Sequence, residues 1–164
     1  LSTAPAYSAE LPALLGREWR ERLFVNAEFN PIEFGGADNR NWKAVMDAHG
    51  QPTDPRDAFS QAGYLAARLL TQTLQRLPPE ALTRERVTAA LRATQTFDSD
   101  MLCRNFYIGD GPRHNANHGG PVLTMVGKGY AMVSMGCLMA QDPELDDVLE
   151  RERKRPAGPL RSLR

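Results

Sequence analysis

The chain has 164 residues, 20 of them basic and 20 acidic, for a formal net charge of zero. That length suits one domain with its own core, and balanced charge without a basic stripe excludes nucleic acid as the main partner. No apolar run reaches the ~18 residues of a membrane span, and the two cysteines are too few for a disulfide scaffold.

Residues 1–7 are a loose, small-residue start. Residues 1–10 carry neither a basic region nor an apolar core, so no leader is legible there. From Ser8, a plausible cap, the pattern turns helical, with Leu11, Leu14, Leu15 and Trp19 on one face. Gly16 divides this stretch into two short helices. Residues 23–27 (LFVNA) read as a buried strand with no partner close in sequence, so its sheet is expected to lie partly outside this chain. The aperiodic EFNPIEFGGAD, residues 28–38, reads as a structured crossing segment. Residues 39–49 form an amphipathic helix with Trp42, Val45 and Met46 inward, ended by Gly50.

The strongest periodicity runs from Asp54 to Leu77. Phe59, Ala62, Ala66, Leu69, Leu70, Thr73, Leu74 and Leu77 recur at helical spacing over roughly five turns. Asp54 reads as the N-cap with Pro55 in the first turn, and Pro78–Pro79 stop the helix. The apolar stripe is expected to face the core. The opposite side, with Gln61, Tyr64 and Arg68, is expected to be polar and free. Thr83 caps a further helix with Val87, Ala90 and Leu91 inward. Residues 94–101 read as polar and irregular, 103–108 as a strand, and 109–120 as a turn-rich loop. Residues 121–126 and 130–135 are β-leaning runs joined by Gly127–Lys128–Gly129, a hairpin signal. After Ala140 an acidic block, a basic block and then Pro and Gly read as a flexible or partner-docked tail. The order of elements is mixed α/β.

His114 and His118 are four apart, a metal-binding spacing on a helix. Here Pro112 and Gly119–Gly120 flank them, and no third ligand stands at a familiar distance, so a solvated loop is the better reading. Cys103 and Cys137 are read either as one bridge or as two buried thiols. The glycines of 109–120 do not follow a strand and open a helix, which excludes a phosphate loop. No catalytic arrangement stands out, and no cofactor is implied. Phe59, Gln61 and Tyr64 lie near the start of the long helix, where free N–H groups suit a ligand carboxylate. The alternative puts Phe59 in the core and Tyr64 half-buried at the surface. Spacing alone leans to that alternative, because helix aromatics more often face a core.

Taken together, RERLFVNAEFNP, DAFSQAGYLAARLLTQTL, LTRERVTAALRAT, FDSD with NFYIGDGPRH, and VLTMVGKGYAMVS resemble the C-terminal part of periplasmic solute-binding proteins of the branched-chain amino-acid type. The resemblance covers about residues 9–136. It implies part of a two-lobed α/β fold with three-layer α/β/α lobes, crossing segments between the lobes and a closing hairpin. Residues 1–140 would be the C-terminal portion, incomplete without an N-terminal lobe, and residues 141–164 the tail. It implies an exported, periplasmic, non-catalytic protein that binds an amino acid, amide or small organic acid for an ABC permease. A second polypeptide, or sequence outside these residues, would supply the missing lobe. The position of an aromatic ligand wall falls on Phe59, Tyr64 matches the tyrosine of that helix, and Gln61 is its neighbour. The other reading is an interaction subunit whose fold no longer serves transport.

Overall fold

The apolar run at 23–27 forms β1 (Phe24–Asn26), and its partner lies within the chain after all. A computed structural model describes residues 7, 8, 10–19, 22–94, 96–107, 119–139 and 150. In it β1 pairs antiparallel with β4 (Gly119–Val126), Val25 opposite Leu123, and β4 pairs antiparallel with β5 (Gly129–Met139). The sheet order is therefore β1-β4-β5. Sequence distance hid this pairing: the strands are almost a hundred residues apart, and nothing local marks a long-range partner.

Alternation sets the faces. Val25, Leu123, Met125 and Tyr130 are buried on one side and form a first core cluster with Tyr7 and Ala27. On the other side Val126 and Val133 stay exposed. The β4–β5 hairpin turns at Gly127–Lys128. Gly127 has φ +62°, a backbone state that suits glycine at the first central position of a two-residue turn.

The amino-terminal segment is two short pieces, as the glycine suggests: α1 (Leu11–Leu14) and a 3-10 turn at Arg17–Trp19. The Ser8 hydroxyl accepts the Leu11 N–H at 3.2 Å. Leu14 and Trp19 are exposed, because a single turn of helix cannot keep four apolar side chains on one buried face.

The second cluster gathers Phe29, Trp42, Leu65, Phe97, Met101 and Leu102. It lies between α2 (Ala37–His49), α3 (Ala58–Gln75) and the two-stranded ladder of β2 (Thr96–Phe97) and β3 (Phe106–Tyr107). A 3-10 turn at Pro79–Ala81 leads to α4 (Arg84–Ala93), whose Thr83 side chain accepts the Arg86 N–H. Val87, Ala90 and Leu91 are only half-buried. In α2, Trp42 is enclosed and Met46 packs on the cluster, but Val45 turns outward. The stretch 94–101 is not an irregular polar loop: it holds β2, and its Phe97 and Met101 belong to the core.

The long helix starts later than expected. Its cap is Asp57, whose carboxylate accepts the Ser60 N–H at 3.0 Å while the Ser60 hydroxyl accepts the Asp57 N–H. This reciprocal arrangement satisfies two donors at once. Asp54 instead closes a turn by accepting the Gln51 N–H. The helix is also rotated relative to the periodicity reading. Gln61, Leu65 and Thr73 are buried, Ala62 and Leu69 pack inward, and Phe59, Ala66 and Leu70 face out. Polar side chains go inside where their donors find partners, although the Gln61 Oε1 is left without one among the described residues. The Gln61 amide donates to Asn30 O and Asn39 Oδ1. Arg68 Nη1 donates to Asp38 Oδ2 at 2.5 Å and to Asp98 O, and its guanidinium lies 5.2 Å from the centre of the Phe97 ring.

The chain passes between the clusters twice. Phe29 bridges antiparallel to Leu102, and Asn30 bonds Met101 O and Asp100 O. Asp100 then accepts the Asp38 N–H at the start of α2. A side chain at Gly36 would collide with that carboxylate, so the close approach needs glycine there. Just past the bridge, Cys103 is joined to Cys137 on β5 by a disulfide, with Cα atoms 5.7 Å apart. The closed loop, 34 residues in sequence separation, is worth on the order of 4 kcal/mol in the chain-entropy model. Residues 108–118, with His114 and His118, and the tail apart from Glu150 lie outside the described residues.

Two stability outcomes follow from these assignments. Asp57→Ala removes the cap and costs about 1 kcal/mol, whereas Asp54→Ala at its exposed turn costs less than about 0.5 kcal/mol; equal costs in denaturant melts would restore Asp54 as the cap. Arg68→Met strands the buried Asp38 carboxylate and costs about 3 kcal/mol. The double variant Asp38→Leu/Arg68→Met recovers part of that loss, and a double-mutant cycle by thermal unfolding reads the difference.

Candidate functional site

Ile32 on the crossing segment and Ala58, the first residue of α3, pack against both core clusters, so the seam between the clusters runs past them. A small, open cleft sits beside this seam. Its walls come from four places. Tyr7 precedes α1, Ile32 and Glu33 lie on the crossing segment, Arg56 and Asp57 lead into α3, and Lys128 to Tyr130 form the hairpin turn.

Two tyrosines build the floor. The Tyr7 and Tyr130 rings meet edge to face, 4.8 Å apart at 74°, an arrangement favoured by the ring quadrupoles. The Tyr7 hydroxyl oxygen accepts the Ile32 N–H at 2.8 Å, and the Tyr130 hydroxyl donates to Ser8 O at 3.0 Å. These bonds tie the chain's amino-terminal segment to the crossing segment and the hairpin. Around the rings stand two acids, Glu33 and Asp57, and two bases, Arg56 and Lys128. Arg56 is paired with Asp47 at 2.5 Å across an exposed surface, and Asp57 is engaged in its cap.

Of the residues singled out from sequence, Phe59 is 80% exposed on the first turn of α3 and does not line this cleft. Gln61 is fully enclosed, its amide directed at Asn30 and Asn39. Tyr64 is half-buried, packed on the second cluster and close enough to Asp38, Arg68 and Asp100 to feel their charges. The start of α3 also differs from an open anion site: the Asp57 carboxylate takes one N–H and adds negative charge. Among the described residues no group of three or more His, Cys, Asp or Glu is placed to hold a metal. Sequence reasoning missed the cleft itself. Tyr7, Glu33, Arg56 and Lys128 are far apart in the chain, and the one local signal was the hairpin glycine pair.

Three phenols are shifted upward. Burial raises Tyr7 well above its ordinary value, against the opposing effect of the Ile32 N–H and with Glu33 and Tyr130 adding to it. Burial raises Tyr130, with Glu33 contributing. Burial and then Asp38 raise Tyr64, against Arg68. All three are neutral near pH 7, and Tyr7 and Tyr130 serve as hydrogen-bonded walls of the cleft. An unfolded tyrosine ionises near 10.0, so between that value and the higher folded one the folded state holds more protons. The associated stability is present below about pH 10 and is lost as pH rises towards the folded values. An ultraviolet phenolate titration is expected to show a late step that Tyr7→Phe removes; loss of an ordinary step near pH 10 in that variant would place Tyr7 in solvent.

The surrounding fold has known counterparts. No curated protein matches the sequence. Among solved structures, a fatty acid ABC transporter substrate-binding protein from Thermomonospora curvata superposes with a TM-score of 0.63 at 20% identity, over 85% of this chain and 36% of that one. A branched chain amino acid ABC transporter from Thermus thermophilus with bound valine gives 0.56 at 15% identity, over 82% and 37%. A solute binding protein of an ABC transporter from R. palustris, in complex with benzoate, gives 0.55 at 17% identity, over 80% and 34%. The chain thus spans about a third of the length of these structures. A family model described as periplasmic binding protein matches residues 1–130, and on that match the chain belongs to the periplasmic binding protein family.

Proposed function

We propose that this chain forms one wall of a solute site in an exported, periplasmic component of an ABC transporter. The family is one of non-catalytic solute-binding proteins; the ligand and its position are the new part of the reading. The solute class is a small amino acid, amide or organic acid, and the permease is the downstream partner. The chain corresponds to the C-terminal portion of the fold, with the β4–β5 hairpin as its closing element. The opposite lobe comes from sequence outside these residues or from another polypeptide.

The observation that carries this reading is the cleft at the seam. Paired acids and bases around two neutral tyrosine rings suit a zwitterion: Lys128 offers a cation to a carboxylate, and Glu33 offers an anion to an ammonium group. Phe59 and Tyr64 stand on α3 outside the lining of this cleft, and the resemblance alone assigns them contacts to a ligand enclosed from the other side. The solved relatives hold valine and benzoate, two small carboxylates. Closure of the second lobe would add the contacts that set affinity.

One wall alone binds weakly, in the millimolar range, about −4 kcal/mol. A two-dimensional NMR titration of the chain with valine, benzoate and a neutral amide is the test. Saturable shifts at Ile32, Lys128 and Tyr130 are expected with at least one of them. Lys128→Ala is expected to weaken carboxylate binding about tenfold, the loss of one charge-assisted bond of ~1.4 kcal/mol or more. No saturable shift with any of the three, or an unchanged Lys128→Ala titration, removes the reading. The alternative of an interaction subunit draws on one observation, the exposure of Phe34 and Phe59. It predicts a stable complex with another polypeptide and no solute response.

A further inference from the structure

Glu33 is an exposed acid whose backbone is anchored on both sides. The Ile32 N–H before it donates to the Tyr7 hydroxyl oxygen at 2.8 Å, and the Phe34 N–H after it closes a turn onto Pro31 O at 2.8 Å. The Asn39 amide, on a residue only 1% exposed, donates to Ile32 O and to Phe34 O, one carbonyl on either side of Glu33. These bonds fix the point from which the side chain leaves the backbone. The carboxylate then lies across the hairpin turn. A Cβ built on Gly129 would fall 2.6 Å from Glu33 Oε1, closer than any side chain tolerates. Among the described residues the only glycine with positive φ is Gly127. The turn therefore makes no conformational demand on Gly129, and the space it leaves is what the carboxylate uses.

From that seat Glu33 faces the cleft, and its charge adds to the upward shift of both Tyr7 and Tyr130. No cation of the protein answers it. Among the described residues the ion pairs are Arg56 with Asp47 and Arg68 with Asp38, so Arg56 and Lys128 line the same cleft without pairing to Glu33. A single carboxylate is too few ligands for a divalent ion, and no group of three metal-ligating side chains is placed there among the described residues. It is enough for an N–H cation. Lys128 is the weaker recognition group of the two. It is exposed at the hairpin tip on a flexible four-carbon stem, which loses rotamer entropy when a ligand orders it. Glu33 is shorter and already seated.

We infer that Glu33, seated against Gly129 and rooted by Asn39, makes this cleft a primary-ammonium site that selects a ligand by its amine first and by its carboxylate second. The ammonium group donates to Glu33 beside two uncharged phenol rings, where a charge-assisted bond is stronger than in open water. Gly129 and Asn39 act as positioning residues, one by leaving room for the carboxylate and the other by holding its root. The inference rests on the cleft being a solute site and narrows what that site takes: amines and amino acids ahead of organic acids of the same shape.

The experiment is a two-dimensional NMR titration of the whole chain with three probes on one branched carbon frame. Isobutylamine carries only the ammonium group, isovalerate only the carboxylate, and valine both. Near pH 7 the amine is expected to bind about tenfold more tightly than the acid, the discrimination of one charge-assisted hydrogen bond. Glu33→Gln is expected to abolish that preference. Gly129→Ala keeps the acid but pushes it off the turn, and is expected to abolish it too. Glu28→Gln, at an exposed acid on the crossing segment outside the cleft lining, is expected to preserve it. An acid that binds as tightly as the amine, or a preference that survives Glu33→Gln, overturns the inference and leaves the solute reading standing. A preference that survives Gly129→Ala overturns the seating of the carboxylate. Glu33-dependent binding of the amine, with no response to valine, isovalerate or benzoate, sustains the inference and sinks the zwitterion reading. Silence with all three probes overturns both.

Discussion

The ion pair between Asp38 and Arg68 fixes how the second half of the molecule is assembled. Asp38 is on the first turn of α2, Arg68 is in the middle of α3, and the Ser99 hydroxyl donates to the same carboxylate at 2.7 Å. Three segments therefore converge on one buried acid. Two charges taken from water cost several kcal/mol, and only good geometry with added hydrogen bonds offsets that cost. Here the offset comes from Ser99, from Asp98 O and from the Phe97 ring beneath the guanidinium. The pair also sets the rotation of α3. Once Arg68 faces in, Leu65 and Gln61 must face in with it, one turn and two turns earlier. Phe59, Gly63, Ala66 and Leu70 are then forced outward by geometry alone.

The same acid-rich corner governs the passage between the two core clusters. Asp100 caps the start of α2 from across the fold, and its carbonyl accepts from Asn30. The crossing segment and the returning segment are thereby held side by side at Phe29 and Leu102. Asn39 grips the crossing segment from the other side by donating to Ile32 O and Phe34 O. The Cys103–Cys137 bond follows immediately and fastens the returning segment to the sheet. Regular structure ends on both sides of these few residues.

What was readable in the sequence was what is local. The Thr83 cap, the break at Gly16, the extent of α2 and the hairpin at Gly127–Lys128 each depend on residues within one or two turns of each other. The errors share one cause. Periodicity assigns faces by polarity, and this fold buries polar side chains whose partners are remote: Gln61 with Asn30 and Asn39, Arg68 with Asp38. The true N-cap at Asp57 was masked by Asp54–Pro55, which has the same signature three residues earlier. Phe97 and Met101 looked like loop residues because they stand among Asp and Ser, whose side chains and carbonyls turn out to bond α2, α3 and the crossing segment. The site divides the same way. The place of Phe59 and Tyr64 on the long helix followed from helical spacing, and a ligand role for them only from resemblance. The cleft could not, because Tyr7, Glu33, Arg56 and Lys128 are gathered only by the β1-β4-β5 pairing and the Tyr7–Tyr130 contact.

The composition of α3 differs between its two sides. Each core cluster contains six buried hydrophobic residues among those described. Neither gives an outer face of Phe, Gly, Ala and Leu any reason to be uncharged. Selection for solubility alone would place Lys or Glu at such positions, as it does along α4 and on the outer positions of α2. The outward stripe of Phe59, Gly63, Ala66 and Leu70 instead has a small-residue centre between large apolar ends. Its neighbour on the inner side is Asp38, which is satisfied without it. The inner face of this helix is thus set by Asp38 and the second core cluster, and its outer face carries no charge.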